Sequence, residues 1–362
     1  MFKVCIISCG MIANSAHIPA YKNFCEDFEI VGVCDINEKT AKDTANRHGI
    51  SKYYTDAKRM LEELKPDIVS VCVPNCFHKE YTLMALNMGT NVLCEKPLAF
   101  KYTDAIEMFE CAKKNNKFLM ACQSMRFTPD RLAAKKYIDE NCIDDIYYGE
   151  IARIRRRGIP TWGTFHMKEI SCGGAFVDIG VHMLDALVWL MGNPKVKSVT
   201  ATAMQNHKSE IGSLKGSGAL TGSVDNARKF DSGEMNVEDF SCGMITFENG
   251  AKVAFKVAWA ANIRESSDIR LIGKKRGIYL PECKVFFDEN GEETITTEKC
   301  LYDTPFAGHM YIADNLRRVL KGEAELTVKP EETLNVSRII EMFYKSAELG
   351  REISVKELEQ NQ

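Results

Sequence analysis

The 362-residue sequence predicts an α/β protein of two domains, a doubly wound parallel sheet followed by an α+β domain built on an antiparallel sheet. Three observations carry this expectation. The chain is too long for one ordinary core. Its first third alternates continuous apolar segments with amphipathic stretches of helical length. Beyond Gln123 that rhythm gives way to apolar/polar alternation of period two, punctuated by turn sequences.

In order, Val4–Ile7, Ile30–Cys34, Ile68–Val73, Val92–Cys94 and Phe118–Cys122 predict strands buried on both faces, as a parallel sheet requires. Glu38–His48, Lys58–Leu64, Lys79–Met88 and Thr103–Asn115 predict the helices between them, with Gly49, Gly89 and Asn115 placed for left-handed caps. A ligand of such a sheet lies beyond the carboxyl ends of its strands. Further on, helices are predicted at Pro129–Asn141, at Ala175–Met191 ending at Gly192, near His309–Leu320 and at Pro330–Leu349, with a strand at Gly149–Arg157. SCGMITF and KVAFKVAW are joined by Glu248-Asn249-Gly250, a strong hairpin turn, and Val253, Phe255, Val257 and Trp259 alternate with Lys252, Ala254, Lys256 and Ala258. DIRLIG with GIYL predicts a second hairpin, and Val285–Phe287 with Thr294–Thr297 a third. His207–Gly233, rich in Gly, Ser and Lys, reads as a long loop, either a flexible excursion or a substrate lid or subunit arm. The expected division is 1–123 and 124–362.

The composition is 45% hydrophobic and 27% charged, with 47 basic against 50 acidic residues and a net charge of −3. That balance argues against nucleic-acid or polybasic membrane binding. No uninterrupted apolar run approaches the roughly 20 residues of a membrane span. The sequence enters a strand-like segment at once, without a signal-peptide pattern, so a cytoplasmic protein is expected. Fourteen cysteines include several inside apolar runs, among them Cys5, Cys34, Cys72, Cys94 and Cys122. They are expected to be reduced, mostly buried thiols acting as small hydrophobes.

The first stretch with chemical content is ISCGMIA, Ile7–Ala13. Of the three glycines of a G-x-G-x-x-G turn only Gly10 is present, while Ser8 and Ala13 take the outer places. The middle glycine lets backbone approach a pyrophosphate, and alanine at the third place still permits close helix–strand packing; serine at the first place departs from the glycine that a tight turn favours. With Met11 and Ile12 the turn opens a helix, and the next strand ends in VGVCD, with Asp35 at its carboxyl end. An acidic group there binds ribose hydroxyls and repels a 2′-phosphate, which favours NAD over NADP; the same aspartate could instead cap the following helix. VCVPNCFH places Pro74, Asn75 and His78 after the third main strand, and VLCEKP places Glu95, Lys96 and Pro97 after the fourth. A lysine directly after a buried strand points to a role in the cofactor crevice, a solvated surface lysine being the alternative.

The second stretch is GGAFVDIGVHMLDALVWLMG, in which Asp178, His182 and Asp185 stand at i, i+4 and i+7 on one face of an otherwise apolar helix. Buried carboxylates and imidazoles need partners, which a cleft with a polar substrate would provide. His182 is the group here suited to moving a proton near neutral pH. A hydrogen-bonded core histidine, or a metal site of Asp178, His182 and Asp185, would give the same pattern. Metal is disfavoured because no further His/Cys cluster accompanies the helix and hydride chemistry needs none. Gly173 and Gly174 would let backbone approach a ligand.

Taken together, the loop, VCVPNCFH, LCEKPLA, MRFTP with Arg126, GGAFVDIGVHMLD, VEDF and SAELGREISV make the chain resemble the glucose–fructose oxidoreductase and inositol dehydrogenase (Gfo/Idh/MocA) family through nearly its whole length. EKP together with D-x-G-x-H-x-x-D is the specific part of the likeness. The resemblance implies a Rossmann domain plus a domain with a large, mostly antiparallel sheet that mediates homo-oligomer contacts. It implies NAD as cofactor, with Gly10 and Asp35 at the family's cofactor positions; with the loop and strand-end residues added, the expected cofactor-binding set is Ser8, Gly10, Met11, Ile12, Asp35, Pro74, Asn75, His78, Glu95, Lys96 and Arg126, and no metal is expected. It also implies catalysis by Lys96, Asp178 and His182: His182 takes the proton of a secondary alcohol, Lys96 hydrogen-bonds the developing alkoxide, and Asp178 orients either of them. Trp162 could offer a sugar-stacking face, and the RRRG run with Arg156 could donate to hydroxyls, although core packing and a solvated strand explain these equally well. The implied substrate is a sugar, glycoside or cyclitol, with carbon 3 of a glucosyl unit the sharper expectation and tightly bound, internally recycled NAD a variant. An NAD-using glycosidase and a non-catalytic NAD-binding regulator are the rival readings.

Overall fold

In the computed structural model, residues 1–141, 143, 145–207, 231–287, 291–297, 300–302 and 304–360 are described. Most of the long Gly/Ser-rich segment read from the sequence lies outside them. The described chain divides into two compact units, one comprising Met1–Ser124 with Leu301–Thr333 and the other the remainder. This departs from the linear division at 123/124 in one segment. Met310 and Ala313, on the helix Ala307–Leu320, pack on Ala20, with Phe24 and Tyr302 against them, and Arg317 lies 5.0 Å from the centre of the Phe24 ring. Burial of that apolar stripe returns the segment to the first unit.

The first unit is a six-stranded parallel sheet among the described residues. Its strands are β1 (Phe2–Ile7), β2 (Phe28–Cys34), β3 (Tyr53–Tyr54), β4 (Ile68–Val71), β5 (Asn91–Cys94) and β6 (Leu119–Ala121), in the order β3-β2-β1-β4-β5-β6. The order reverses at β1, so the crevice expected of a doubly wound sheet opens between the carboxyl ends of β1 and β4. Strands β1 and β4–β6 are almost wholly buried, which explains why they read as continuous apolar runs. The helix Glu38–His48 begins at Asn37, whose side chain accepts from Thr40 N–H, and ends at Gly49 with φ 64°. After Tyr102–Lys114 the left-handed residue is Asn116 (φ 52°) and not the expected Asn115.

The second unit holds a nine-stranded sheet among the described residues. Its strands are β7 (Ile146–Ile154), β8 (Val196–Met204), β9 (Phe240–Phe247), β10 (Lys252–Ala258), β11 (Ser266–Gly273), β12 (Arg276–Leu280), β13 (Lys284–Phe287), β14 (Gly291–Thr294) and β15 (Ile353–Ser354), in the order β14-β13-β12-β11-β7-β10-β9-β8-β15. All neighbours are antiparallel except β7 and β10. All three expected hairpins are present, the third with its second strand three residues earlier, because Lys284 pairs with Thr294. One face is covered by the helix of residues 175–190 and by Pro330–Leu349, through a stack of Phe176 on Phe343 at 3.8 Å and contact of Phe176 with Phe255 at 5.2 Å. Lys168–Leu190 is long and apolar enough to pass for a membrane span, but 83% of its apolar window is buried in the fold, as in a core helix. Among the described residues no disulfide joins the cysteines.

Candidate active site

In the first unit the turn after β1 puts Ser8 at φ 75°, a left-handed conformation that a non-glycine residue adopts at a cost of about 1–2 kcal/mol. Two devices hold it. Ser8 N–H continues the ladder to Cys34 C=O at 2.8 Å, and the Asn14 amide nitrogen donates to the carbonyls of Cys9 (2.8 Å) and Gly10 (3.0 Å). Asn14 therefore does part of the work of the missing glycine, a role the sequence reading did not assign. A Cβ built at Gly10 would meet nothing nearer than Ser8 Oγ at 3.9 Å, so the backbone there faces open space, and Met11 and Ile12 begin a helix whose first amides have no intrahelical acceptor. Asp35, partly exposed, accepts from Cys9 N–H on Oδ2 and from Asn37 N–H on Oδ1, both at 2.9 Å, which leaves each oxygen a second lone pair for a ribose hydroxyl. An open backbone cradle at a helix start beside a fixed carboxylate fits a dinucleotide.

The helix after this turn winds as a π-turn over Ala13–His17, which aims His17 into the interior. There Glu95 Oε1 accepts from His17 Nε2 (2.9 Å) and His309 Nε2 (3.3 Å), while Oε2 accepts from Lys96 N–H (3.1 Å). His17 Nδ1 meets Ser70 Oγ at 3.1 Å, and Ser70 meets Tyr21 at 2.9 Å. Burial pushes the Glu95 carboxyl up, but hydrogen bonds from the two histidines outweigh it and hold the group well below its ordinary range. The His17, Glu95, Cys122 and His309 donor atoms lie within 4.8 Å of one another. Hydrogen bonding to Glu95 accounts for the placement of both imidazoles. Cys122 is pushed well up, first by burial and then by Glu95, so it is an inert thiol.

Lys96 is half-buried, and its peptide bond to Pro97 is cis. Pro74 is exposed, and Asn75 opens a 3₁₀ turn over Asn75–Phe77. His78 corrects the sequence reading. It is 1% exposed and sets Nδ1 2.7 Å from Pro97 C=O and Nε2 3.1 Å from Val73 C=O. It clasps two strand-end loops instead of offering a ring to the cofactor; burial pushes its pKa down, against the pull of those carbonyls. The Glu95 side chain, likewise enclosed, is engaged by His17, His309 and the Lys96 N–H.

In the second unit Asp178 lies in another π-turn, Phe176–Gly180, and His182 follows on Val181–Leu190; both are partly exposed along a largely buried helix. Asp178 Oδ2 accepts from Trp259 Nε1 at 2.9 Å. Arg153 on β7 is pushed below its ordinary range by burial and by Arg155 and Arg131, and Asp178 and Glu265 oppose that shift. The third member of the predicted stripe separates from the other two. Asp185 is 1% exposed and takes a bidentate grip from Arg126, Nε and Nη2 each at 2.6 Å, with the guanidinium 5.6 Å from the centre of the Trp189 ring. That pair bears on two expectations: Arg126 is enclosed and holds Asp185, which argues against a direct cofactor contact, and Asp185 is no part of an open polar stripe. Trp162 is half-buried and meets Phe165 edge-on at 4.7 Å; Arg156 is exposed. The Gly173-Gly174 expectation is also corrected. A Cβ at Gly173 would stand 2.0 Å from the Tyr344 hydroxyl, and one at Gly174 1.9 Å from Glu238 C=O, so these glycines admit protein groups and not a ligand.

A doubly wound sheet of this order, with an open glycine turn and an acidic residue after its second strand, is the architecture of a dinucleotide-binding domain. A family model described as "Oxidoreductase family, NAD-binding Rossmann fold" matches residues 2–122, and one described as "GFO/IDH/MocA C-terminal domain" matches residues 132–279. The chain is 33% identical, over 98% of its length and 97% of the relative's, to a protein of Escherichia coli (strain K12) named D-glucoside 3-dehydrogenase. It is 27% identical, over 60% of its length and 56% of the relative's, to levoglucosan dehydrogenase of Pseudarthrobacter phenanthrenivorans. Among solved structures, a levoglucosan dehydrogenase in complex with NADH and levoglucosan shares the fold with a TM-score of 0.82 at 21% identity, covering 98% of this chain and 99% of the other. An oxidoreductase from Agrobacterium radiobacter in complex with NAD+, L-tartaric acid and magnesium has a TM-score of 0.80 at 19% identity, covering 98% of each chain. The chain belongs to the Gfo/Idh/MocA family, and it is an NAD-dependent oxidoreductase.

Proposed function

We propose that the protein oxidises a secondary hydroxyl of a sugar or glycoside, at carbon 3 of a glucosyl unit. The observation that carries the reading is the full-length likeness to the relative named D-glucoside 3-dehydrogenase, in a chain that keeps Lys96 in EKP and Asp178 and His182 in D-x-x-x-H. Bound NAD supplies the hydride acceptor. His182 accepts the hydroxyl proton as the carbon loses hydride, and the Lys96 ammonium donates a hydrogen bond to the oxygen as its charge grows. Asp178, fixed by Trp259, orients the lysine or the histidine. Ser8, Gly10, Met11 and Ile12 form the cofactor turn, Pro74 and Asn75 stand at the neighbouring strand end, and Asp35 would accept from ribose hydroxyls. Arg156 and Trp162 contribute to substrate binding. A 3-oxo group acidifies the adjacent C–H and prepares loss of the substituent at carbon 1, which suits a catabolic role in the cytoplasm.

The second unit, in this reading, binds substrate and self-associates through the sheet face opposite its helices. Met204, Met244, Ile272 and Phe286 are exposed on that sheet, which favours burial against a second copy. Met244→Asp with Ile272→Asp should lower the mass seen by light scattering; an unchanged mass overturns this part.

The test of the activity is methyl β-glucoside deuterated at carbon 3. Deuterium should appear in NADH, or stay on the purified enzyme if the dinucleotide is retained, with a product two hydrogens lighter. Deuterium transfer from any other carbon overturns the position. Aglycone release from an aryl glucoside without net NADH would instead mark an NAD-using glycosidase.

A further inference from the structure

We infer that Glu238, a residue of the VEDF segment, is the positioning residue for the helix that carries Asp178 and His182, with Gly173, Gly174 and Tyr344 as the rest of its device. The inference rests on the reading of Asp178 and His182 given above.

Three consecutive backbone amides at the start of that helix all end on this one residue. Gly174 N–H donates to Glu238 Oε2 at 2.9 Å, Ala175 N–H to Glu238 C=O at 3.0 Å, and Phe176 N–H to Glu238 Oε1 at 3.0 Å. A helix start leaves such donors without intrahelical acceptors, and short polar caps normally serve one of them. Here one glutamate, sixty-odd residues away in sequence, serves three. The Tyr344 hydroxyl donates to Oε1 at 2.8 Å and completes the set.

The approach this requires is visible in the glycines. Any side chain at Gly174 would collide with the Glu238 backbone, and any at Gly173 with the Tyr344 hydroxyl, in each case at 2.0 Å or less. GG, Glu238 and Tyr344 therefore form one unit, whose parts lie far apart in the chain.

What the unit holds is specific. Asp178 follows Phe176 by two residues, and its own N–H bonds back to Gly174 C=O at 3.0 Å. That bond is an ordinary i→i−4 one, and π winding runs from Phe176 to Gly180, so the helical register changes within the segment that carries Asp178. From the other side, Trp259 Nε1 holds Asp178 Oδ2, and Trp259 N–H donates to Asp239 C=O at 2.8 Å, the residue next to Glu238. The stretch Glu238-Asp239 thus grips Asp178 from both directions, through the helix start and through the indole. Glu238 does not touch the reacting atoms; it acts through Asp178. Displacing a catalytic group by about 1 Å is enough to cost up to about 10²-fold in rate.

The test uses the full chain with NAD and methyl β-glucoside, comparing Glu238→Gln, Glu238→Ala and Tyr344→Phe. In Glu238→Gln the side-chain amide must turn its own N–H toward one of the three donors, so one prong of the grip opens. We expect kcat to fall about tenfold in Glu238→Gln, about 10²-fold in Glu238→Ala and about threefold in Tyr344→Phe, with the Kd of NAD and the sugar KM within twofold of wild type. A purely structural role would lower the yield of folded protein and leave kcat per NAD-binding site unchanged. Wild-type kcat per site in Glu238→Gln, or in Tyr344→Phe should the first two variants fail to fold, overturns the inference. Asp178→Asn and His182→Ala run alongside: if they keep wild-type hydride transfer, the catalytic reading itself fails. If they lose it while Glu238→Gln does not, only the positioning role fails.

Discussion

Each compact unit buries a glutamate directly behind a candidate catalytic side chain, and the two carboxyls are driven in opposite directions. Glu95, next to Lys96, is pushed up by burial but pulled well below its ordinary range by His17 and His309. Glu238, behind Asp178, is pushed up by burial, and its bonds from Phe176, Tyr344 and Gly174 only partly offset this. Both are enclosed and hydrogen-bonded. They differ in their partners: two imidazole N–H donors converging on one carboxylate oxygen outweigh the effect of burial, whereas backbone amides and a phenol only moderate it. The first unit thus holds a carboxylate kept ionised by its hydrogen-bond donors, and the second uses a buried carboxyl as a mechanical clamp.

The largest effects expected are kinetic and test whether the two units share one reaction. Lys96→Ala in the first unit and His182→Ala in the second should each lower hydride transfer about 10³-fold, while NAD affinity changes little in His182→Ala. Rapid-mixing measurement of NADH formation, with calorimetric NAD titration, reads this; near-wild-type transfer in either variant breaks the assignment.

Next come the glutamates themselves. Glu95→Gln removes the charge between two buried histidines and should cost about 3–5 kcal/mol, measured by denaturant unfolding. The pH dependences should have opposite signs. The depressed Glu95 carboxyl contributes stability that is present above its ordinary value of 4.5 and lost as pH falls through the folded value, so the deficit of Glu95→Gln shrinks in acid. The raised Glu238 carboxyl contributes stability that is fully present below 4.5 and lost as pH rises through its folded value, so wild type gains over Glu238→Gln in acid. Melting curves from pH 3 to 7 compare the slopes; slopes of one sign would erase the contrast between the units.

Smaller effects belong to the cofactor turn. Asp35→Ser should raise NADP affinity relative to NAD by about tenfold, since it removes one charge facing a 2′-phosphate; wild type that already prefers NADP would contradict the Asp35 reading. Ser8→Gly relieves the left-handed strain and should raise stability by about 1 kcal/mol or less, glycine losing part of the gain to its freer unfolded chain. A destabilised Ser8→Gly would mean that the Asn14 staple leaves no strain to relieve.

Legibility in the sequence followed the range of the interaction. Glu38–His48 and Pro330–Leu349 were readable to the residue because an Asn cap and a Gly stop, or a first-turn proline, act within a few positions. The strand predicted at Gly149–Arg157 is Ile146–Ile154, since pairing with β10 and β11 and not its own apolar content sets its ends. Asp178 and His182 were found by periodicity, which also wrongly joined Asp185 to them: the π-turn at Phe176–Gly180 and the Arg126 partner lie beyond any helical-wheel reading. His17 and Glu238 each left a trace, a histidine in the first helix and the VEDF segment, but nothing local announced their partners.

The sequence by itself determined the class of each half, the strand-to-helix turn around Gly10 with Asp35 after the next strand, and the polar residues at the strand ends, because strand burial, helix caps and turn chemistry are short-range and leave their marks in adjacent residues. Only the tertiary structure decided which polar groups are spent inside the protein. His78, Arg126, Asp185, Glu95 and Glu238 are all enclosed, and an enclosed polar group must find partners wherever the fold supplies them, whatever their distance along the chain.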